Sequence, residues 1–326
     1  MKQITKLLTV VSCLLAVACI KDESFVNIVS VNTFGNKVCR NDQVKVFVSV
    51  ETDNLELPTY EWGCEGGQMT NPQGLFENVW QAPDQAGQYK IWVKVKSGRS
   101  EDTQYAYMTV TDEYYYTNFE TPYYGEGWSN TNMTVAIDAK TGTTPCLSLT
   151  SKNNTAVYYR NWTKDFAAPI SMQVDCYPKT FSGANTISLR IIFTKVVETD
   201  KILENVSFNF QPGTGVFNLS SAYVDVPNGT VVTLTGTGDA AGTNAILKYK
   251  NAWKHLSLSL DSSNKVIVYC EGEKILESDF LKTNFPQSAY PIHAIGLALP
   301  NKVVALFDDL TVMDNGTVLN GTAINR

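Results

Sequence analysis

The stretch Tyr158-Tyr159-Arg160-Asn161-Trp162 packs two aromatics, a guanidinium and a third aromatic ring into five residues. On a strand, Tyr158, Arg160 and Trp162 share one face and Tyr159 takes the other. An apolar interior would not choose Arg160, so that face is expected to meet solvent. Tyr158 and Trp162, about 13 Å apart along a strand, would then offer flat rings to successive sugar units while Arg160 donates hydrogen bonds to hydroxyls. The competing expectation is that Trp162 lies under a loop and Tyr158 pairs across strands. Trp128, in Gly125-Glu126-Gly127-Trp128, is a second candidate platform, since glycines let a loop tip carry an aromatic without strain.

Asp308 shares strand parity with Val304, Leu306, Leu310 and Val312, which directs its carboxylate toward an apolar face. An unpaired charge there is costly, so a cation or a hydrogen bond from a loop amide must compensate it. Asp309 points the other way on a regular strand. Only two histidines exist, His255 and His293, and His255 beside Trp253 at a strand start reads as a structural imidazole. The chain holds no HExxH, no GxSxG elbow and no Cys/His pair with a third member. Glycan cleavage is still open, because it needs only two carboxylates from distant strands. Among Cys39, Cys64, Cys146, Cys176 and Cys270 no CxxC unit occurs, which argues against zinc. Cys39 with Cys64 and Cys146 with Cys176 are bridge candidates in an oxidising compartment, or each packs as a small apolar residue.

The elements that carry these residues are strands. Val44, Val46, Val48 and Val50 recur at every second position, as do Ile91, Val93 and Val95. Turn clusters at Asn71-Pro72-Gln73-Gly74 and Pro83-Asp84 separate such runs without a helical stretch, so residues 26–112 are expected to form a small antiparallel sandwich. Trp62 stands where such a sandwich keeps a core tryptophan. Asp84-Gln85-Ala86-Gly87-Gln88-Tyr89 predicts a turn into a tyrosine corner, its hydroxyl returning to upstream backbone. Trp92, out of phase with Ile91, Val93 and Val95, is expected to face outward, either against a neighbouring domain or as a ligand platform. Thr109-Val110-Thr111-Asp112 closes this domain, and Tyr114-Tyr115-Tyr116-Thr117-Asn118-Phe119-Glu120 opens the next with almost no linker. In residues 113–326, the runs Ile187-Leu189-Ile191, Val206-Phe208-Phe210, Leu256-Leu258-Leu260 and Val266-Val268 alternate between Gly, Asn, Ser and Pro clusters. They fit one larger jelly-roll sandwich. The expected fold class is all-β.

Several of these segments resemble known families. Tyr60-Glu61-Trp62, Gly66-Gly67, Val79-Trp80, Pro83 and Gly87-Gln88-Tyr89-Lys90-Ile91 resemble the PKD-type immunoglobulin-like modules of bacterial surface proteins, which implies a mostly spacing role for residues 26–112. Asn118-Phe119-Glu120, Trp128 and Phe307-Asp308-Asp309-Leu310-Thr311-Val312 resemble the opening and closing strands of carbohydrate-binding sandwich modules. Trp253 to Leu260 followed by Val268-Tyr269-Cys270-Glu271-Gly272-Glu273 is similar to the strand pair of laminin-G and concanavalin-like domains. The carbohydrate-binding resemblance implies a structural Ca2+ held by Glu120 and Asp308, with Asp309 as a further ligand. Glu51-Thr52-Asp53-Asn54-Leu55-Glu56 matches the ExDxxE string of laminarinase-like glycoside hydrolases, but Thr52, Asn54 and Pro58 place it at a polar strand end of the smaller domain. That match reads as coincidence.

At the start, Lys2 and Lys6 precede an apolar segment of 12 residues, Leu7 to Ala18. A membrane-spanning helix needs roughly 20, so residues 1–18 are expected to be a signal peptide. The small residues before Cys19 resemble the lipobox of bacterial lipoproteins, with Ala16 in place of the usual Leu. That resemblance implies lipid on Cys19, with residues 19–25 as linker. Lys21-Asp22-Glu23 looks like the export tag that sends lipoproteins to the outer surface of glycan-foraging Gram-negative bacteria, implying an outer-membrane protein that faces the exterior.

Net charge is -6 without any run of Lys or Arg, which excludes a phosphate-backbone partner such as nucleic acid. With 16 Tyr and 6 Trp against only 18% charged residues, stacking on uncharged ligands is favoured, and sugars are the obvious class. The expected function is capture of a polysaccharide or oligosaccharide for a neighbouring glycan transporter. The alternatives are an adhesion or assembly protein that grips a protein partner, and a jelly-roll glycoside hydrolase or polysaccharide lyase. An aromatic groove marks the first, a flat apolar patch the second, and two facing carboxylates about 5 to 10 Å apart the third.

Overall fold

A computed structural model describes residues 25–33, 37–53, 56–119, 127–138, 145–153, 156–198, 200–249, 252–286, 290–300 and 302–318. The chain divides into two compact units between Thr111 and Asp112.

The first unit holds β1 Val26–Thr33, β2 Lys37–Cys39, β3 Gln43–Thr52, β4 Thr59–Cys64, β5 Gln68–Met69, β6 Gln73–Gly74, β7 Glu77–Gln81, β8 Gly87–Ser97 and β9 Ser100–Thr111. They form one sheet in the order β1-β3-β7-β5 and another in the order β2-β9-β8-β4-β6. Alternation decides which side chains meet between the sheets. Val44, Val46 and Val48 from one sheet face Ile91, Val93 and Val95 from the other, in a core shared with Trp62 and Trp80. Both indoles keep their N–H bonded, Trp62 Nε1 to the Leu75 carbonyl (3.0 Å) and Trp80 Nε1 to the Gly66 carbonyl (2.8 Å). The Tyr89 hydroxyl donates to the Gln85 carbonyl at 2.9 Å, the tyrosine corner read from the sequence. Glu51 and Asp53, from the ExDxxE string, are exposed at the end of β3, and the Asp53 carboxylate accepts the Phe25 amide.

The second unit opens with β10 Tyr115–Thr117, β11 Trp128–Thr131, β12 Met133–Asp138, β13 Cys146–Ser151, β14 Ala156–Phe166, β15 Ile170–Thr180, β16 Ile187–Glu198 and β17 Lys201–Phe210. It continues with β18 Val216–Asp225, β19 Thr230–Thr235, β20 Ala241–Thr243, β21 Lys254–Leu260, β22 Val266–Cys270 and β23 Glu273–Ser278. A single helical turn, α1 Phe280–Asn284, precedes β24 Ile292–Leu299 and β25 Val304–Met313. One sheet runs β12-β13-β25-β15-β21-β22-β23 with β10 also on β25, and the other runs β11-β14-β24-β16-β17-β18-β19 with β20 on β18. The alternating runs Ile187/Leu189/Ile191, Val206/Phe208/Phe210 and Leu256/Leu258/Leu260 are buried in one core between the sheets. The unit is a jelly-roll β-sandwich, and the chain is all-β apart from short helical turns.

Neither Cys39 with Cys64 nor Cys146 with Cys176 forms a bridge. Cys39, Cys146, Cys176 and Cys270 are buried as small apolar residues, and Cys64 is half-buried.

Candidate functional site

The expected sugar platform is not on a solvent face. Tyr158 is 3%, Trp162 7% and Trp128 9% exposed, and all three belong to the core of the second unit. Trp128 is not at a loop tip: it begins β11, opposite Arg160, and stacks on Tyr158 with centroids 4.5 Å apart and planes within 6°. Its Nε1 donates to the Tyr115 hydroxyl at 3.0 Å. Arg160, taken from the sequence as a sign of solvent, instead lies 4.1 Å from the Tyr115 ring centroid and 5.2 Å from that of Trp162. A guanidinium is weakly hydrated and planar, so ring faces can replace part of its water. The cluster is packed within the core of the second unit. Glu120 and Cys19 lie outside the described residues.

Asp308 is buried, 1% exposed, and its Oδ1 accepts the Asp309 amide at 2.8 Å. The expected inward parity fails for a physical reason: β25 is covered on both faces, and Asp308 stands on the side turned away from the core. The β15–β25 register slips between Gln173/Thr311 and Asp175/Asp308, with Asp309 at φ 45°. This bulge re-aims Asp309, whose Oδ1 accepts the hydroxyl of exposed Tyr116 at 2.7 Å. Among the described residues no three His, Cys, Asp or Glu side chains converge as a metal site. Two carboxylates supply fewer than the about six to eight oxygens that Ca2+ takes, so Glu120 or backbone oxygens would have to complete such a site.

What the register does bring together is a row that sequence reading missed. On β15, Met172, Val174 and Cys176 point into the core, which turns Ser171, Gln173, Asp175 and Tyr177 to the opposite face. On β21, Leu256, Leu258 and Leu260 are the core members, so His255, Ser257 and Ser259 face outward. Asp175 pairs with Asp308 on one side and with His255 on the other, aligning two carboxylates and an imidazole across three strands. His255 Nδ1 meets Asp175 Oδ1 at 2.7 Å. A carboxylate accepts, so Nδ1 donates, which leaves Nε2 as the ring's second polar atom.

Three polar atoms in this segment lack a hydrogen-bond partner although buried: Trp253 Nε1, His255 Nε2 and Ser257 Oγ. They alternate along one strand at about 7 Å steps. Unmet buried polar groups cost free energy, and natural folds keep them where water or a ligand supplies the partner. Beside them stands an aromatic rim. Tyr177 lies 5.6 Å from Trp253 and 5.2 Å from Tyr249, and Phe181 lies 5.4 Å from Tyr249. Tyr177, Tyr249 and Phe181 are half-buried, so the rim is where this face opens to solvent. Burial and the hydrogen bond with Tyr177 push the Tyr249 phenol well above its ordinary pKa, so it stays a neutral donor.

At the other end of the face, the Thr317 carbonyl accepts from Ser171 Oγ at 2.5 Å and from Gln173 Nε2 at 3.4 Å. A cleft of about 330 Å³ there is lined by Ser259, Asp261, Ile267, Tyr269, Gly316 and Val318. The signal that could have revealed the row was the second parity of β15 and β21, polar where the first is apolar. Their alignment depends on a register that the sequence does not display.

No family model and no curated protein matches the sequence. Solved structures similar to the chain include a Bacillus subtilis protein of unknown function with a galectin-like fold, at 13% identity and TM-score 0.42, covering 61% of this chain and 94% of that one. A glycoside hydrolase family 16 endo-glucanase from Bacteroides ovatus aligns at 12% identity and TM-score 0.43, covering 61% and 99%. Carbohydrate-binding modules of the β-sandwich superfamily align at 12% identity and TM-score 0.30, covering 88% and 97%. The likeness is one of sandwich architecture alone.

Proposed function

We propose that this chain binds glycan at the half-buried Tyr177/Tyr249/Phe181 rim, where the otherwise buried outer face of β15 and β21 begins. The observation that carries the reading is the set of buried, unpartnered atoms Trp253 Nε1, His255 Nε2 and Ser257 Oγ beside the Tyr177/Tyr249/Phe181 rim. An indole N–H, an imidazole nitrogen and a hydroxyl, set next to ring faces, complement a sugar, whose hydroxyls donate and accept while its C–H faces stack. Affinity electrophoresis against plant, mucin and microbial glycans tests it. At least one glycan should retard the wild type, and Trp253→Ala or His255→Ala should relieve that retardation.

The rest of the proposal concerns address and support. Cys19 carries lipid, the protein sits on the outer membrane facing outward, and captured glycan passes to a neighbouring transporter. The first unit is a PKD-type immunoglobulin-like spacer in this reading. A structural Ca2+ ion at Glu120, Asp308 and Asp309 would stabilise the second unit.

One observation favours a second reading, hydrolysis at the same face. Asp175 and Asp308 are directly opposite in the β15–β25 ladder, a placement that brings Cβ atoms to about 5 Å, and retaining glycosidases work with carboxyl groups about 5 to 5.5 Å apart. Release of reducing ends from a bound glycan, abolished in Asp308→Asn, would favour this reading; retention without release favours binding alone.

A further inference from the structure

The first unit has a surface that the proposed binding face of the second unit does not use. On the outward side of the β8–β9 pair, Trp92 stands opposite Tyr105 and Lys90 opposite Tyr107. Tyr105 is 50% and Tyr107 59% exposed. Trp92 is only half-buried although its neighbours Ile91 and Val93 are fully buried. On β4, Gly63 pairs with Trp92, and a Cβ at position 63 would fall 2.2 Å from Cζ2 and 2.3 Å from Cε2 of the indole. The indole therefore lies down over the glycine, one face on the sheet and the other turned outward. Lys90 Nζ sits 4.2 Å from the Tyr105 ring centroid and 3.3 Å from Glu65 Oε1, which fixes both the ammonium and the ring.

We propose that this face is a second glycan-binding site, taking an uncharged polysaccharide laid across Trp92, Tyr105 and Tyr107. The outward positions of β8 and β9 from Lys90 to Lys96 and Glu101 to Thr109 contain no aliphatic side chain, so the apolar surface consists of rings alone. Its lysines stand among carboxylates, Lys90 with Glu65, Lys94 with Glu101 at 2.9 Å and Lys96 opposite Glu101 in the ladder, so the face presents no patch of one sign to an ionic ligand. Flat rings edged by two phenol hydroxyls, an indole N–H and an ammonium suit C–H faces edged by hydroxyls. A glycine beneath the tryptophan is what keeps that surface flat.

The two proposed sites belong to different units of the chain, so substitutions can test them separately. Full-length protein is run in native gels containing soluble β-glucan, xyloglucan or galactomannan, and is incubated with insoluble cellulose and chitin. Tyr105→Ala/Tyr107→Ala removes exposed rings and should leave the melting temperature unchanged while weakening retention on at least one probe about tenfold. Gly63→Val keeps every aromatic residue but lifts the indole, and should weaken the same probe. Trp253→Ala reports the second unit in parallel. Loss in the tyrosine variant with retention in Trp253→Ala supports this site and counts against the other face. Retention of both first-unit variants at wild-type strength on every probe that holds the wild type overturns the proposal and leaves the face to a protein partner. A wild type that no probe holds overturns it as well.

Discussion

Arg160 is the residue whose setting departs most from what its type suggests. A charged side chain flanked by Tyr158 and Trp162 on one strand face reads as solvent-facing, yet both neighbours are core residues and the guanidinium is held over the Tyr115 ring. Removing it would cost the cation–π contact and the packing of its stem. Arg160→Ala is expected to lower stability by about 2 kcal/mol, read from urea denaturation, with glycan retention unchanged. Arg160→Lys should recover little, because a point charge cannot lie flat between rings. Loss of glycan retention with unchanged stability would return the binding site to this cluster. The sequence displayed the aromatic density correctly but not its direction, since parity alone cannot say which face of a strand is inside when aromatics populate both. His255 shows the same limit. Its place beside Trp253 was readable, whereas Asp175 and Asp308 became its neighbours only through the β15 register.

Elements whose signals are local were the most legible. The Val44/Val46/Val48 and Ile91/Val93/Val95 alternations form the first core, and the Gly87-Gln88-Tyr89 turn places a hydroxyl on the Gln85 carbonyl. Tyr89→Phe should cost about 1 kcal/mol in thermal or urea unfolding, the net worth of one hydrogen bond. The bulge at Asp309 was not legible, because an αL residue inside a strand has no marker when it is not glycine. The β22–β23 hairpin carries an acid-sensitive clamp, Glu277 with Lys265 and Lys274. Hydrogen bonds from Lys274 and then Lys265 hold the Glu277 carboxyl down to about 2. A depressed folded pKa stabilises above the unfolded value of 4.5 and loses that contribution as pH falls toward 2. Glu277→Gln should flatten the melting-temperature profile in that window, by an amount that shrinks with added salt. The cysteines give an independent check on packing. Burial raises the Cys176 thiol, pushes that of Cys270 up to about 12 and raises that of Cys64 as well, so with only thiolate reacting it is access that separates them. In Ellman titration at pH 8, half-buried Cys64 should be the one described thiol to react before denaturant exposes the rest.

For the whole molecule, the proposed lipid on Cys19 would set the location at which both sandwiches work. Two or more acyl chains hold a protein stably on a bilayer, so Cys19→Ala should move the protein from the membrane to the soluble fraction; unchanged membrane association would refute the anchor. Millimolar Ca2+ should raise the melting temperature relative to chelator, by mass action on the folded state, and Asp308→Asn should abolish the increment. Equal melting temperatures in both conditions would leave the Asp309 amide as the compensation for Asp308. The central claim is that the outer face of β15 and β21 holds sugar at its aromatic rim. Its most direct test is the dissociation constant of full-length protein for the glycan that retards it most, compared with Trp253→Ala and His255→Ala proteins of wild-type melting temperature. The account predicts that each substitution weakens binding about tenfold or more. Wild-type affinity in both folded variants would contradict it.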